Sequence, residues 1–186
     1  PVADSIPSRI TTCGKVPIVL HEQPVNKIIY VDLAVPIDGI KTSDYPLLPF
    51  FSAVLTSMAV DGLSWVEASL LTARYTASLG AMLFSSQMVS GYQVPQSLEF
   101  VKGGRDFLMI RMKVLEELSS EAISLMFRFF EKADFSDTKR LLDLLNEYRN
   151  DLESSLAPAG NQYAVSRAAA FASRTKAVDE IWNGLT

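Results

Sequence analysis

Two kinds of hydrophobic spacing divide the chain into strands and helices. In DFLMIRMKVL (106–115), apolar residues alternate with Arg111 and Lys113, which predicts a strand with one buried and one solvated face. Residues 23–26, Gln-Pro-Val-Asn, favour a turn between two earlier strands. The segment that holds Gly91, Pro95, Gly103 and Gly104 is interpreted as a loop or a weak edge strand. The further predicted strands are VPIVLHEQ (16–23), KIIYVDLAVPI (27–37) and AMLFSSQMV (81–89).

Spacings of three and four residues predict helices elsewhere. The first is expected to begin at Ser43 or Asp44 and to end at Gly62. The next begins with a capping box, in which Ser64 and Glu67 bond each other's backbone, and Gly80 is its predicted stop. Further helices are predicted after Ser119 or Ser120, over residues 134–156 and over residues 163–171. The apolar stripes behind these predictions are Leu47, Phe50, Phe51, Val54, Leu55 and Met58; Ile123, Met126, Phe127 and Phe130; and Leu141, Leu142, Leu145, Tyr148, Leu152 and Leu156.

The element order β-β-α-α-β-β-α-α predicts an α+β fold, with helices packed on one face of an antiparallel or mixed β-sheet. A chain of 186 residues is expected to form one domain. Residues 1–15 are interpreted as an N-terminal linker segment and residues 16–186 as the single domain. Because the first residue is Pro1 and no signal-like segment follows it, we interpret the chain as a piece of a longer protein.

Charge and composition argue against several classes of function. The formal net charge is −4 and the pI is about 5.0, with no Lys/Arg cluster, so no nucleic-acid partner is expected. The longest apolar run, residues 45–60, is short and broken by Pro46 and Pro49, so no membrane span is expected. The single cysteine, Cys13, cannot form an internal disulfide, and this weakly favours a reducing compartment. A cytoplasmic location is favoured because the fragment carries no targeting signal, with an organellar one left open.

Spacing alone predicts no catalytic set. His21 is the only histidine, and one histidine beside Glu22 falls short of the three or four ligands that zinc needs, so we interpret it as a surface residue. The serines lack a histidine partner and a G-x-S-x-G elbow, and Gly103-Gly104 is a turn signal rather than a phosphate loop. Aromatic residues at strand and helix spacings are expected in the core, and these are Tyr30, Phe84, Phe107, Phe127, Phe129 and Phe130.

Several stretches carry a family resemblance. NKIIYVDLAVPIDGI (26–40) and the following YPLLPFFSAVLTSMAVDGLSWVEAS resemble the pitrilysin-like (insulinase-type) zinc metallopeptidases. FSDTKRLLDLLNEYRNDLESSLAPAGNQYAVSRAAAFAS (135–173) is similar to the presequence-protease and falcilysin branch. Two departures are Val25-Asn26-Lys27 in place of Thr-Asn-Gly, and Asn161 in place of His. The residues that fit the branch's pattern are Asp137, Arg140, Leu141, Gly160, Tyr163, Ala164, Arg167 and Ala168.

The resemblance implies a fold and a place within a larger enzyme. Such peptidases consist of four related α+β domains of the LuxS/processing-peptidase-like kind, in two halves that close over a peptide. The first domain carries the zinc motif H-x-x-E-H, and this chain resembles the third domain. The resemblance therefore implies that zinc lies elsewhere in the parent protein, that no cofactor belongs to this chain, and that its partners are sibling domains and peptide substrate.

The helix that would carry H-x-x-E-H lies within FFSAVLTSMAVDG (50–62). Matching Gly62 to the glycine after the zinc helix puts the motif positions at Ala53, Thr56 and Ser57, which offer neither imidazole nor carboxylate. The chain is thus predicted to be inactive alone and to form part of the substrate chamber. The alternative is a stand-alone inactive structural or assembly homologue of the processing-peptidase type. At the start of the long helix, Asp137 is expected to be the N-cap, with Arg140 about a turn later. The alternative is a buried ion pair that ties this helix to a neighbouring element.

Overall fold

A computed structural model describes residues 7–87 and 104–184, and the fold is α+β with antiparallel sheets, as predicted. Short 3₁₀ turns occupy Thr42–Leu47 and Glu116–Leu118. The strands are β1 (Ser8–Cys13), β2 (Val16–His21), β3 (Ile28–Pro36), β4 (Ala59–Val60), β5 (Ser78–Ser85), β6 (Asp106–Leu115) and β7 (Ala133–Asp134). The helices are α1 (Leu48–Val54), α2 (Trp65–Tyr75), α3 (Ser119–Lys132), α4 (Thr138–Ser155), α5 (Gly160–Ala169) and α6 (Arg174–Asn183).

The main sheet has the order β3-β6-β5, with every neighbouring pair antiparallel. The predicted alternation on β6 is confirmed, because Ile110, Met112 and Val114 are fully buried while Arg111 and Lys113 are exposed. On the solvent face, Arg111 binds Asp32 of β3 with a nitrogen–oxygen distance of 2.8 Å. The strand therefore separates a core face from a wet face, as its period of two requires.

The core lies between the main sheet and the helices on one of its faces. Ala122 and Met126 of α3 pack against the buried side of β6, together with Val178 and Trp182 of α6. A second buried group joins α2 and α3 through Ala68, Leu125 and Phe129. The predicted packing of helices on one sheet face is confirmed by this arrangement.

The first two predicted strands do not pair with each other. β2 pairs with β1 in a separate two-stranded sheet, and β3 pairs with β6. The predicted turn at residues 23–26 therefore lies between two sheets. The predicted linker segment 1–15 also contains β1. Gly14, with φ of 61°, makes the tight connection between β1 and β2 that the sequence analysis did not identify.

The first predicted helix is shorter than its apolar spacing suggested. It consists of a 3₁₀ turn followed by α1, which ends at Val54, and residues 55–58 form turns before β4. The capping box of α2 is confirmed, with Ser64 accepting from the Glu67 amide at 3.3 Å. Gly80 is not the stop of this helix, because α2 ends at Tyr75 and Gly80 lies within β5.

Helices form in the later part of the chain where they were predicted, but their apolar faces are less buried than predicted. Helix α4 is the longest, as predicted, yet none of its residues is buried. No serine side chain caps α3, and α5 begins at Gly160 rather than Tyr163. Helix α6 had no predicted counterpart. Of the six aromatic residues expected in the core, Phe107 and Phe129 are buried, whereas the exposed ones are Tyr30, Phe84, Phe127 and Phe130.

The predicted loop with Gly91, Pro95 and Gly103 lies outside the described residues. Gly104, which is described, has a φ of 85°, a value that favours glycine. No helix within residues 7–87 and 104–184 combines the length and the hydropathy that crossing a membrane requires.

Candidate functional site

Among residues 7–87 and 104–184, the most buried ionisable side chain is that of Asp106, at the start of β6, which is 1% exposed. Arg174, the first residue of α6, donates to both carboxylate oxygens, at 3.0 Å to Oδ1 and 2.5 Å to Oδ2. Tyr45 Oη donates to Oδ2 at 2.9 Å, and Ser85 Oγ donates to Oδ1 at 2.7 Å. One carboxylate thus joins the 3₁₀ turn, β5 and α6.

Burial by itself raises the pKa of Asp106 because it disfavours the charged form. The hydrogen bonds from Arg174, Ser85 and Tyr45, with the positive charge of Arg174, outweigh burial and hold the pKa of Asp106 below its usual value. Desolvation, followed by the bond to Asp106, raises the pKa of Tyr45. The cluster therefore holds a carboxylate that is ionised and fully engaged, which suits a structural tie better than proton transfer.

Aromatic packing continues this cluster towards the end of α6. The Tyr45 ring stacks on the Trp182 ring, with centroids 5.9 Å apart. Trp182 is 6% exposed, and its indole Nε1 has no hydrogen-bond partner among the described residues. Helix α6 is therefore fixed at its first turn by charge and at its last turn by ring packing.

A cleft of about 310 Å³ separates the C-terminal half of β5 from α6. Its lining combines apolar side chains, Leu83 and Trp182, with polar side chains of α6. Among the latter, Asp179 accepts from Asn183 Nδ2 at 2.8 Å and lies 3.9 Å from Lys176 Nζ. The lining residues are Leu83, Phe84, Ser85, Thr175, Lys176, Asp179, Trp182 and Asn183.

The positions matched to the zinc motif do not lie on one helix. Ala53 belongs to α1 and is exposed, whereas Thr56 and Ser57 lie in the turn that follows it. Their side chains supply no metal ligand, and no group of three His, Cys, Asp or Glu residues capable of holding a metal occurs within residues 7–87 and 104–184. The residues present therefore do not fit a zinc ion, and we assign no metal chemistry to this region.

Asp137 and Arg140 play separate roles at the start of α4. Asp137 is the N-cap, and its Oδ1 accepts from the Arg140 amide at 2.9 Å, which confirms the capping prediction. The Arg140 guanidinium lies over the Trp65 ring at 4.1 Å from its centroid, so it ties α4 to α2 through a cation–π contact. Neither residue forms an ion pair with another described residue, so the contact that ties α4 to a neighbouring element is the cation–π contact rather than the alternative buried ion pair.

Two further residues of the family pattern lie in α5, which packs against α6. Gly160 is the first residue of α5, and Arg167 Nη1 contacts Glu180 Oε1 of α6 at 3.4 Å. Glu180 is 5% exposed, so this pair is half-buried. His21 is exposed at the end of β2 and shares a hydrogen bond of 2.7 Å with Ser8, as expected for a surface histidine.

Sequence reasoning did not identify the Asp106 cluster. Asp106 and Arg174 are 68 residues apart, and neither stands in a motif. A signal for α6 was present, since Ser173 caps it by accepting from the Lys176 amide at 3.3 Å, and Val178 and Trp182 have helical spacing. That signal predicts a helix, but it does not indicate which carboxylate the helix binds.

Comparison with known proteins places these features in a family. Residues 2–186 match the model of the domain family associated with peptidases of family M-16, subfamily C. The chain is similar to the protein HypA of Clostridium perfringens, with 22% identity over 98% of this chain and 18% of that protein. It is also similar to mitochondrial presequence proteases of Danio rerio (23% identity; 100% of this chain, 17% of that protein) and Yarrowia lipolytica (25%; 91% and 16%). The chain thus spans less than a fifth of the length of these relatives.

Proposed function

The chain belongs to the domain family associated with subfamily C of the M-16 peptidases, and we propose that it is a non-catalytic domain of a zinc-dependent metalloendopeptidase that degrades oligopeptides. Zinc and the general base would belong to another domain of that enzyme. This domain would form part of the wall of the substrate chamber in the C-terminal half. Its partners would be sibling domains and the peptide substrate.

The observation that carries the proposal is the combination of the family match with the side chains at the motif positions. The family match covers residues 2–186, and two of the proteins to which the chain is similar are presequence proteases. Yet Ala53, Thr56 and Ser57 offer no imidazole or carboxylate. Because peptide hydrolysis by a zinc enzyme needs both a bound metal and a base, this domain supports the reaction without performing it.

The surface of α4 supports a role in docking to a sibling domain. Leu142, Leu145 and Leu152 follow one another at helical spacing and are 56%, 45% and 44% exposed. Contiguous exposed apolar surface of this kind is typical of interaction sites. A neighbouring domain that covered it would gain hydrophobic stabilisation at roughly 25 cal/mol per Å² of buried apolar area.

A peptidase assay with a quenched fluorescent peptide of presequence length tests the proposal. The samples are the intact polypeptide, the polypeptide without this domain, and this domain alone. We expect chelator-sensitive turnover from the intact protein, little turnover without the domain, and none from the domain alone. The physical reason is that positioning of the substrate in a closed chamber contributes several kcal/mol to catalysis.

Two results would contradict the proposal. Chelator-sensitive cleavage by this domain alone, after removal of contaminating proteases, would show that it carries its own catalytic site. Full activity of the polypeptide without the domain would show that the domain has no part in the reaction. A Leu145→Asp variant of the intact protein separates docking from folding. Leu145 is already exposed in this domain, so replacing its side chain should not unfold the domain.

A further inference from the structure

Helix α6 ends in an Asn-Gly step, Asn183–Gly184, the only such step in the chain. Asparagine is a chemically labile residue, and it loses its side-chain amide most readily before glycine, which has no side chain to hinder attack by its own backbone nitrogen. Asn183 is exposed at the last position of α6, so water and base reach its side chain. Each of the other asparagines precedes a larger residue, and these are Asn26, Asn146, Asn150 and Asn161.

Two hydrogen bonds hold this pair of residues in the helix. The Gly184 amide donates to the Glu180 carbonyl at 2.9 Å and closes the last turn of α6. Asn183 Nδ2 donates to Asp179 Oδ1 at 2.8 Å. The nitrogen that must attack and the side chain that it attacks are therefore both engaged. Cyclisation requires the last turn to open first, and the ends of helices open at a low cost in free energy.

We propose that Asn183 is a site of spontaneous deamidation, that opening of the last turn of α6 sets its rate, and that the reaction releases this end of the helix. Water is the only other reactant. The Gly184 nitrogen loses its proton and bonds to Asn183 Cγ, the Cγ–Nδ2 bond breaks, and Nδ2 leaves as ammonia after it takes a proton from water. Water then opens the five-membered imide at either carbonyl, which leaves an aspartyl or an isoaspartyl residue with a new carboxylate.

Either product weakens the end of α6. The aspartyl product places a carboxylate four residues after Asp179, where like charges repel, and puts its charge at the negative end of the helix dipole. The isoaspartyl product adds a methylene group to the main chain and so disrupts the bond from the Gly184 amide to the Glu180 carbonyl. Trp182, the preceding residue, stacks on Tyr45 with centroids 5.9 Å apart. Loosening of the last turn therefore reaches the ring contact that fixes this end of the helix.

Peptide mapping of the intact polypeptide by mass spectrometry tests the site. Native protein and protein unfolded in urea are incubated at mildly alkaline pH, and conversion of each asparagine amide to a carboxylate is followed. We expect Asn183 to react first in the unfolded protein, and to react more slowly by roughly tenfold or more in the native protein. Asn150, which is exposed in α4 and precedes Asp151, is the internal reference. No reaction at Asn183 in the unfolded protein, or equal rates in the two states, would overturn the proposal.

A pair of variants tests the hydrogen bond that holds the asparagine side chain. Asp179→Ala removes the acceptor of Asn183 and should speed deamidation of the native protein by roughly threefold or more. The matched control is Lys176→Ala, which removes a cation 3.9 Å from Asp179 and leaves the bond to Asn183 in place. We expect this control to change the rate by less than about twofold. Equal rates in the two variants would contradict restraint by this hydrogen bond.

Two substitutions at position 183 test the consequence for the helix. Asn183→Asp reproduces the aspartyl product, whereas Asn183→Gln keeps an amide whose longer side chain disfavours the five-membered ring. We expect hydrogen exchange at residues 178–184 to be faster by roughly threefold or more in Asn183→Asp and in aged wild type, and unchanged by ageing in Asn183→Gln. Unchanged exchange in both Asn183→Asp and aged wild type would contradict release of the helix end. Faster exchange across the whole domain would also contradict it, because the change would then be global.

Discussion

Arg174 binds both carboxylate oxygens of Asp106, one at 3.0 Å and the other at 2.5 Å, and so ties the start of α6 to the start of β6. The two partners differ in exposure, because the Asp106 side chain is 1% exposed and that of Arg174 is 50% exposed. The effect of removing one partner therefore depends on which side chain remains. Without Asp106, the Arg174 guanidinium can be hydrated, whereas without Arg174 the charged Asp106 carboxylate stays buried.

We expect Arg174→Met to destabilise the domain more than Asp106→Asn. Removing one partner of a buried pair costs about 3–5 kcal/mol when the remaining charge cannot be hydrated, which describes Arg174→Met. Asp106→Asn keeps an acceptor oxygen and frees an exposed guanidinium, so a loss of about 1–3 kcal/mol is expected. Free energies of unfolding from urea denaturation measure both changes.

The matched control is Arg149→Met. Arg149 binds Glu153 at 2.7 Å on the surface of α4, where its side chain is 72% exposed. An exposed pair four residues apart on a helix contributes only about 0.3–0.5 kcal/mol. A loss for Arg174→Met no larger than that for Arg149→Met would show that the buried pair has no special role.

The same pair predicts a dependence of stability on pH. Because the folded pKa of Asp106 lies below its unfolded value of about 3.9, its contribution is complete above about pH 5, where the unfolded carboxyl is fully ionised. The contribution declines as the pH falls from there through the lower folded pKa. We therefore expect the stability difference between wild type and Asp106→Asn to be constant from pH 5 to 7 and to shrink below about pH 4. Urea denaturation at each pH measures this difference, and a gap that grows in acid would contradict the depressed pKa.

Strand β6 could be predicted from the sequence because burial of one sheet face requires an apolar residue at every second position. That alternation is visible within a few consecutive residues. The sequence predicted the helix before Gly62 less well, since apolar residues continue at helical spacing through Met58 although α1 ends at Val54. The chain instead turns, and Val60 is buried in β4, paired with β7. Asp61 and Gly62, with φ of 49° and 80°, complete that turn. The Asp-Gly pair was the local signal for it.

The Asp106 cluster could not be predicted from spacing, because its members come from four separate parts of the chain. The position of β5 at the end of the described strand order could not be predicted either, because it depends on the sheet order β3-β6-β5. Conversely, the leucine stripe of α4 correctly predicted a helix but not its burial. A periodic apolar face indicates that something covers it, and within the described residues that cover is incomplete.

The cap of α4 gives a test that separates hydrogen bonding from charge. Asp137→Asn should change the unfolding free energy little, because Asn also accepts from the Arg140 amide, whereas Asp137→Ala should cost about 0.5–2 kcal/mol. Urea denaturation of both variants measures this. A large loss for Asp137→Asn would indicate that the carboxylate charge matters and would revive the ion-pair interpretation. Ser136→Ala, at the preceding position, provides the control for a local change without loss of the cap.

Zinc binding provides the sharpest test of α1. The chain should hold no stoichiometric zinc after dialysis against a weak chelator. The triple variant Ala53→His, Thr56→Glu, Ser57→His should not create a zinc site. Two histidines four residues apart meet on one face only in a continuous helix, and here α1 ends at Val54, before Thr56 and Ser57. Metal analysis of wild type, the triple variant and His21→Ala measures zinc per chain, with circular dichroism to confirm folding. Tight one-to-one zinc in wild type would overturn the non-catalytic assignment. Tight zinc in the triple variant alone would instead show that the helix extends through Ser57.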